Sequence, residues 1–311
     1  MIQYALRRLA GAIPTLLVLA VATFLLLRLA PGGPFDTDRA FPPEVKAAID
    51  AKYGLDQPIW LQLAHWLGDL AHGDLRESLQ YLGRPVTEII AESFPASAQL
   101  GLLSLILSLG AGVSLGALAA WKQNTWLDFG AVFLTIAGVS LPSYLVASLL
   151  ILVFSIGLDW LPPALWEGPS SMILPTITLA LRPLALVARM TRSSMLEALS
   201  SDYVRTAYSK GLAAPPVVFK HALRNSLIPV ITLMGPITAN LITGSFLVEI
   251  VFQIPGLGRH FVSAMLNRDY PLVMGVTLFF GVILIFSNLA VDLTYGLIDP
   301  RVRVSEKKGG G

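Results

Sequence analysis

The sequence predicts an all-α integral membrane protein with six transmembrane helices, and three observations predict it. Hydrophobic residues fill 54% of the 311 positions and charged residues only 14%, with a mean hydropathy of +0.68, a balance that suits lipid as the main solvent. Six apolar stretches reach the roughly 20 residues that a helix needs to cross a bilayer core. Lys and Arg gather in alternate segments between those stretches, which is how a multi-span chain records its orientation. The net charge of +2 forms no basic face, so nucleic acid is not an expected partner. The absence of cysteine removes disulfides, thiolate metal sites and cysteine nucleophiles together.

Residues 1–8 read as a cytoplasmic N-terminus and about 9–30 as the first span. Arg7 and Arg8 before an apolar run resemble a signal peptide, but the run is too long and Pro31-Gly32-Gly33-Pro34 is a poor cleavage site, so the span is expected to be retained. Residues 31–95 form a periplasmic insert with helical order. In it Pro42-Pro43 opens EVKAAIDAKYG, where Val45, Ala48, Ile49 and Tyr53 recur at helical spacing and Gly54 closes the helix. A second stretch, PIWLQLAHWLGDLAHG, lines up Trp60, Leu63, Trp66, Leu67 and Leu70 on one face. That stripe fits a helix at the lipid headgroups, and equally a lid packed over the spans. His65 and His72 on it stand too far apart for a helical metal pair.

Four more spans follow at about 97–121, 129–157, 172–190 and 226–250, and a last at 272–298; the third is long enough to tilt or to carry a break. Between the last two, VFQIPGLGRHFVSAMLNRDYP turns at Pro255, Gly256 and Gly258 into a short amphipathic piece, and Pro271 suits the start of span six. No strand precedes these glycines, so they are not a dinucleotide fingerprint. Segments 1–8, 122–128, 189–225 and 299–311 hold 13 Lys and Arg, against 7 in the longer set 31–95, 158–171 and 251–271; both termini are therefore expected in the cytoplasm.

Several chemistries are missing. No G-x-x-x-x-G-K-[ST] occurs, so the chain is not expected to be an ATPase, and neither H-E-x-x-H nor G-x-S-x-G is present. Arg28 and Glu249 fall near the outer ends of spans. Arg182 and Asp292 fall inside spans four and six, either as a buried polar pair or solvated separately in a watery passage. Gly112-x-x-x-Gly116, Gly235, Gly244 and Ser245 offer small faces for close helix approach, and Pro142, Pro175, Pro183 and Pro236 interrupt spans or their ends. A secondary transporter acting alone, or a scaffold without transport, would share the span pattern.

The inward loop runs RMTRSSMLEALSSDYVRTAYSKGLAAPPVVFKHALRNSLIPVI. Asp202 suits an N-cap, Tyr203 to Lys210 allow about two helical turns, Gly211 suits the stop and Pro215-Pro216 bar continuation. So short a helix has no stability alone. It needs a docking surface, on its own spans or on another protein.

That loop resembles the cytoplasmic loop of ABC importer permeases, whose pattern is E-A-A, three residues, Gly, nine residues, I-x-L-P. Arg205-Thr206-Ala207, Gly211 and His221-Ala222-Leu223-Arg224 keep the spacing and depart at the Glu and at the closing I-x-L-P. The departures are similar to the oligopeptide/dipeptide permease branch, with its R-T-A-x-x-K-G-L followed by H-A-L-R-N. So are LRRLAGAIPTLLVL, RLAPGGPF, PPEVKAAIDAKYGLDQPI, AHGDL, SFPASAQLG, RMTRSSMLEAL, PGLGRHFVSAMLNRDYPLV and VDLTYGLIDPRVR, which resemble most the B-type subunits of oligopeptide permeases.

The resemblance implies a type I importer permease fold, one permease domain over 9–308 with a coupling loop at 191–225, in a bacterial inner membrane. Gly309-Gly310-Gly311 lies outside it, as a tag remnant would. It implies as partners a second homologous permease, two cytoplasmic ATPases that hold ATP and Mg, an extracytoplasmic peptide-binding protein and an oligopeptide substrate, with no cofactor in this chain. Tyr203, Val204, Arg205, Thr206, Ala207, Tyr208, Ser209, Lys210, Gly211 and Leu212 would be the coupling helix inserted into an ATPase. The outward helices and the 255–268 loop would dock the binding protein, with Glu44, Lys46, Pro255, Gly256, Arg259 and Arg268 as candidate contacts. The same architecture serves dipeptides, nickel or another small solute; the stretch PPEVKAAIDAKYG favours longer peptides.

Overall fold

The computed structural model describes residues 2–30, 33, 44, 51 and 54–298. Their regular structure is helical apart from one isolated antiparallel bridge between Glu77 and Pro85. Five helices are long and apolar enough to cross a membrane, and a bent pair makes a sixth span.

The first span is α1, Ile2–Leu29. Within the insert, the helix expected at 43–54 lies outside the described residues apart from Glu44 and Ala51, which are helical, and Gly54, which sits in a turn at φ +65°. The second insert helix is α2, Ile59–Ala71. Its stripe divides: Trp66 is fully buried and Leu63, Leu67 and Leu70 join it against Ala20 and Phe24 of α1 and Tyr270 and Met274 of the last span. Trp60 stays 70% exposed at the helix start. The packed alternative thus describes most of the stripe. His65 and His72 are both exposed, and no metal-holding cluster occurs among the described residues.

The second span, α3, runs Val86–Trp121 and begins well before the apolar window. Pro85 in extended conformation opens it, and its first turns bury Val86, Ile89 and Ile90 against Leu257, Leu272 and Val276. Composition could not show this start, because the extra turns are amphipathic and packed on protein instead of lipid. The third span breaks by 112° between α4, Trp126–Ser140, and α5, Ser143–Leu150, which continues as a wide π-type turn Ile151–Gly157. The cause is local: Leu141 precedes Pro142, and both residues are extended.

The fourth span, α6, covers Pro169–Leu199 and at about 46 Å overshoots a bilayer core. It lies against α3 and α4 at backbone distance. A Cβ on Gly112 would come within 2.9 Å of the Leu184 carbonyl and of Val187, and one on Gly116 would collide with the Ala188 carbonyl. Gly138 of α4 meets Ala185 in the same way. Beyond α6 come α7, Asp202–Ser209, and α8, an irregular helical run made of Ala214–Pro216, a π-type turn Val217–Ala222 and Leu223–Ser226. The fifth span is α9, Ile228–Ile242, followed after Gly244 by α10, Phe246–Val251; then come α11, Leu257–Leu266, and the last span α12, Tyr270–Ile298. Gly235 lets α9 approach Asn288 of α12.

The end of the bundle that holds α2 and α11, the insert end, is fixed by two buried carboxylates. Glu249 is fully buried; Ser97 of α3 donates to its Oε1 (2.8 Å) and the Arg259 amide to its Oε2 (3.1 Å), while the Leu257 amide donates to Ser97 Oγ (2.9 Å). Gly244, Gly256 and Gly258 surround that carboxylate, and a Cβ on Gly244 or Gly256 would run into it. Asp269 accepts from the Ser78 hydroxyl and from the amides of Leu79 (3.1 Å), Gln80 (3.3 Å) and Leu272 (3.3 Å), so it ties the insert to the first turn of α12. A buried carboxylate persists only with such donors around it.

Candidate functional site

The opposite end carries α7. Ser201 stands at the N-cap and Asp202 occupies the first turn, one position later than the sequence suggested, although neither side chain caps the helix. Asp202 lies 3.9 Å from Arg205, both on open surface. At the other end Lys210 closes the helix, the Gly211 amide donates to the Tyr208 carbonyl (2.9 Å), and the left-handed φ +79° of Gly211 lets the Leu212 amide reach the Ala207 carbonyl (3.3 Å).

Two turns of helix do not hold together unaided, and the structure shows what holds these. Val204 (1% exposed) and Ala207 (7%) bury their side chains against Ala198 at the end of α6 and Val217 and Ala222 of α8. The spacing of three residues places both on one helix face. In turn α8 seats Val218 on Ala117 and Ala120 of α3 and Met195 of α6, and Phe219 packs edge-to-face on Trp121 at 5.6 Å. Contact thus runs from α7 through α8 to the ends of the second and fourth spans.

The remaining face of α7 is exposed. Tyr203, Tyr208 (45% exposed) and Leu212 stand on it with Arg205 and Lys210, and Phe219 of α8 is exposed nearby. Large amphipathic rings beside mobile cations are the usual composition of a protein contact surface.

Comparison with known proteins decides the family. A family described as "Binding-protein-dependent transport system inner membrane component" matches residues 112–304, and its N-terminal companion matches residues 1–101. The chain belongs to this family of inner-membrane permeases. Among curated relatives, the oligopeptide transport system permease protein OppB of Salmonella typhimurium is 46% identical over 97% of this chain and 100% of its own length. The OppB of Escherichia coli K12 is 45% identical over the same shares, and the dipeptide transport system permease protein DppB of Bacillus subtilis is 41% identical over 99% of this chain and 100% of its own length.

Within this permease the ten residues Tyr203 to Leu212 do come together as one projecting unit. The intramembrane candidates are placed apart from it. Arg182, exposed on α6, borders a cavity of about 180 Å³ beside the break in the third span, lined also by Ser140, Pro142, Ser143 and Thr178. Asp292 belongs to α12, and its side chain lies outside the described residues. Of the binding-protein candidates, Glu44, Pro255 and Arg259 are exposed and Lys46 lies outside the described residues. Arg268 is half-buried and donates to the Gly33 carbonyl (3.2 Å). Gly256 is buried and faces the Glu249 carboxylate, so it shapes the turn and presents no side of its own.

Sequence reasoning missed one pair near the α7 end of the bundle. Arg192 of α6 donates Nε to Asp128 Oδ1 (2.6 Å) and an Nη to Oδ2 (2.8 Å), a bidentate clamp between α4 and α6, and Asp128 is buried. The Asn124 amide completes the carboxylate at 3.0 Å. The only signal was a lone Asp just before the apolar window of span three. Nothing in the spacing joins it to an Arg 64 residues later.

Proposed function

We propose that the chain is the translocation subunit of an ATP-driven ABC importer that moves oligopeptides delivered by an extracytoplasmic binding protein. The observation that carries this is the two-sided α7: one face is packed on the chain's own span ends, and the other presents two tyrosines, a leucine and two cations at exposed positions. One of two ATPase subunits would take that face, the pair holding the ATP and Mg for which this chain has no phosphate-binding loop. A second homologous permease would complete the passage, in a bacterial inner membrane with α7 and both termini on the cytoplasmic side. The chain would make and break no bond.

The coupling would be mechanical. ATP bound more tightly to the closed ATPase pair supplies the free-energy difference between two arrangements of the spans. Through Val204, Ala207 and α8, movement of α7 would be delivered to α3 and α6 together; the glycine contacts tie α3 to α6, and the Asp128–Arg192 clamp ties α4 to α6. The oligopeptide assignment follows the names of the Salmonella and Escherichia relatives. The Bacillus relative, named for dipeptides, supports a second reading with shorter substrates.

The test is uptake by proteoliposomes holding the full complex, with dipeptides, longer peptides and nickel offered in turn. Longer peptides should enter only with ATP and the binding protein. Gly211→Pro forbids φ +79° and removes the amide bonded to Tyr208; it should reduce uptake to background while membrane insertion stays intact. Normal uptake by that variant contradicts the coupling assignment.

A further inference from the structure

A second site lies at the insert end, far from α7. A cavity of about 450 Å³ opens between α1, α2, the 74–85 loop and the start of α12. On one wall Arg28, in the last turn of α1, places its guanidinium carbon 5.4 Å from the Phe24 ring centre and 4.9 Å from that of Tyr270. Among the described residues it has no carboxylate partner. Arg76, also on the wall, is already held by Asp69 at 2.6 Å. Asp74 and Glu77 supply negative charge to the same cavity; Asp74 accepts from the Arg76 amide, and the Glu77 carboxylate has no partner among the described residues. Among the described residues, one cation and one anion without ionic partners therefore share a cavity and do not bond each other, an arrangement that suits a ligand carrying both charges.

The position says which ligand. Arg28 stands at the end of an apolar run, where a helix leaves the hydrocarbon for the headgroups. Of the five unbroken spans α1 is the least buried, with 11% of its apolar window inside the protein against 50% for α6, so most of that helix is open to lipid. Trp60, exposed on α2, is the kind of side chain that marks that depth. We propose that the cavity between α1, α2 and α12 seats a phosphoethanolamine phospholipid headgroup, the phosphate on Arg28 between its two rings and the ammonium on Glu77.

Native mass spectrometry of the detergent-purified full chain tests this, with phosphatidylethanolamine, phosphatidylglycerol, soluble phosphoethanolamine and a tripeptide with free termini as probes. The ethanolamine lipid should bind with one-to-one stoichiometry and in preference to the glycerol lipid. Arg28→Gln should weaken both lipids by about tenfold, the loss of one charge-assisted contact. Glu77→Gln, an exposed change that leaves folding untouched, should abolish the preference between them. Unchanged binding by both variants, preference for the glycerol lipid in the wild type, or displacement of the lipid by tripeptide would each overturn the assignment. Displacement by soluble phosphoethanolamine at lipid concentration would overturn its lipid source.

Discussion

The two ends of the bundle are held in opposite ways. At the insert end, Glu249 and Asp269 are buried carboxylates, each held by donors that include distant segments, and glycines are shaped around Glu249. At the coupling end, α7 rests on two small apolar side chains and leaves its other face open. Buried charge networks fail all at once when a member is lost, whereas a light apolar contact gives way locally. The difference teaches where rigidity is required and where a part must answer to something outside the chain.

The largest effect is expected at the insert end. Glu249→Ala leaves Ser97 and the Arg259 amide unpaired around a void and should lower stability by about 3 kcal/mol, read as a single earlier melting transition in detergent. A melting curve like that of the wild type would show that the network is not structural. Val204→Ser should cost about 2 kcal/mol at the opposite end only. Hydrogen exchange should rise across 202–212 while the melting temperature holds; a global shift would erase the contrast between the ends. The smallest effect concerns His260 of α11, whose imidazole is pushed below its ordinary value by burial and then by Arg259 and Arg84, with Glu92 opposing. It packs against the Tyr81 ring at 5.5 Å. Because the unfolded chain then binds the proton more readily, its contribution is intact above about pH 6.5 and is lost as pH falls through the lower folded value. His260→Gln should flatten that slope between pH 7.5 and 5, and an unchanged slope would assign it elsewhere.

The two ends also differ in how well they can be read from sequence. α7 was legible nearly to the residue, because Gly211, Pro215 and Pro216 punctuate a charged run between apolar ones and local chemistry sets those boundaries. The six spans were legible by length and hydropathy alone. Legibility failed where a partner is distant in the chain. Glu249 with Ser97, Asp269 with Ser78 and Asp128 with Arg192 are separated by 152, 191 and 64 residues, and no spacing rule links them. The early start of α3 at Val86 and the inward turn of Gly256 have the same origin, since each depends on what tertiary packing brings against it.

The central claim, that energy enters through the free face of α7, has a direct test. The chain holds no cysteine, so Tyr208→Cys introduces one thiol at that face alone. In the assembled complex turning over ATP, that thiol should be shielded from a soluble maleimide and should cross-link to an ATPase subunit through a short bifunctional reagent, with peptide uptake stopping as the link forms. Full labelling of the thiol in a complex that goes on importing peptide would contradict the claim.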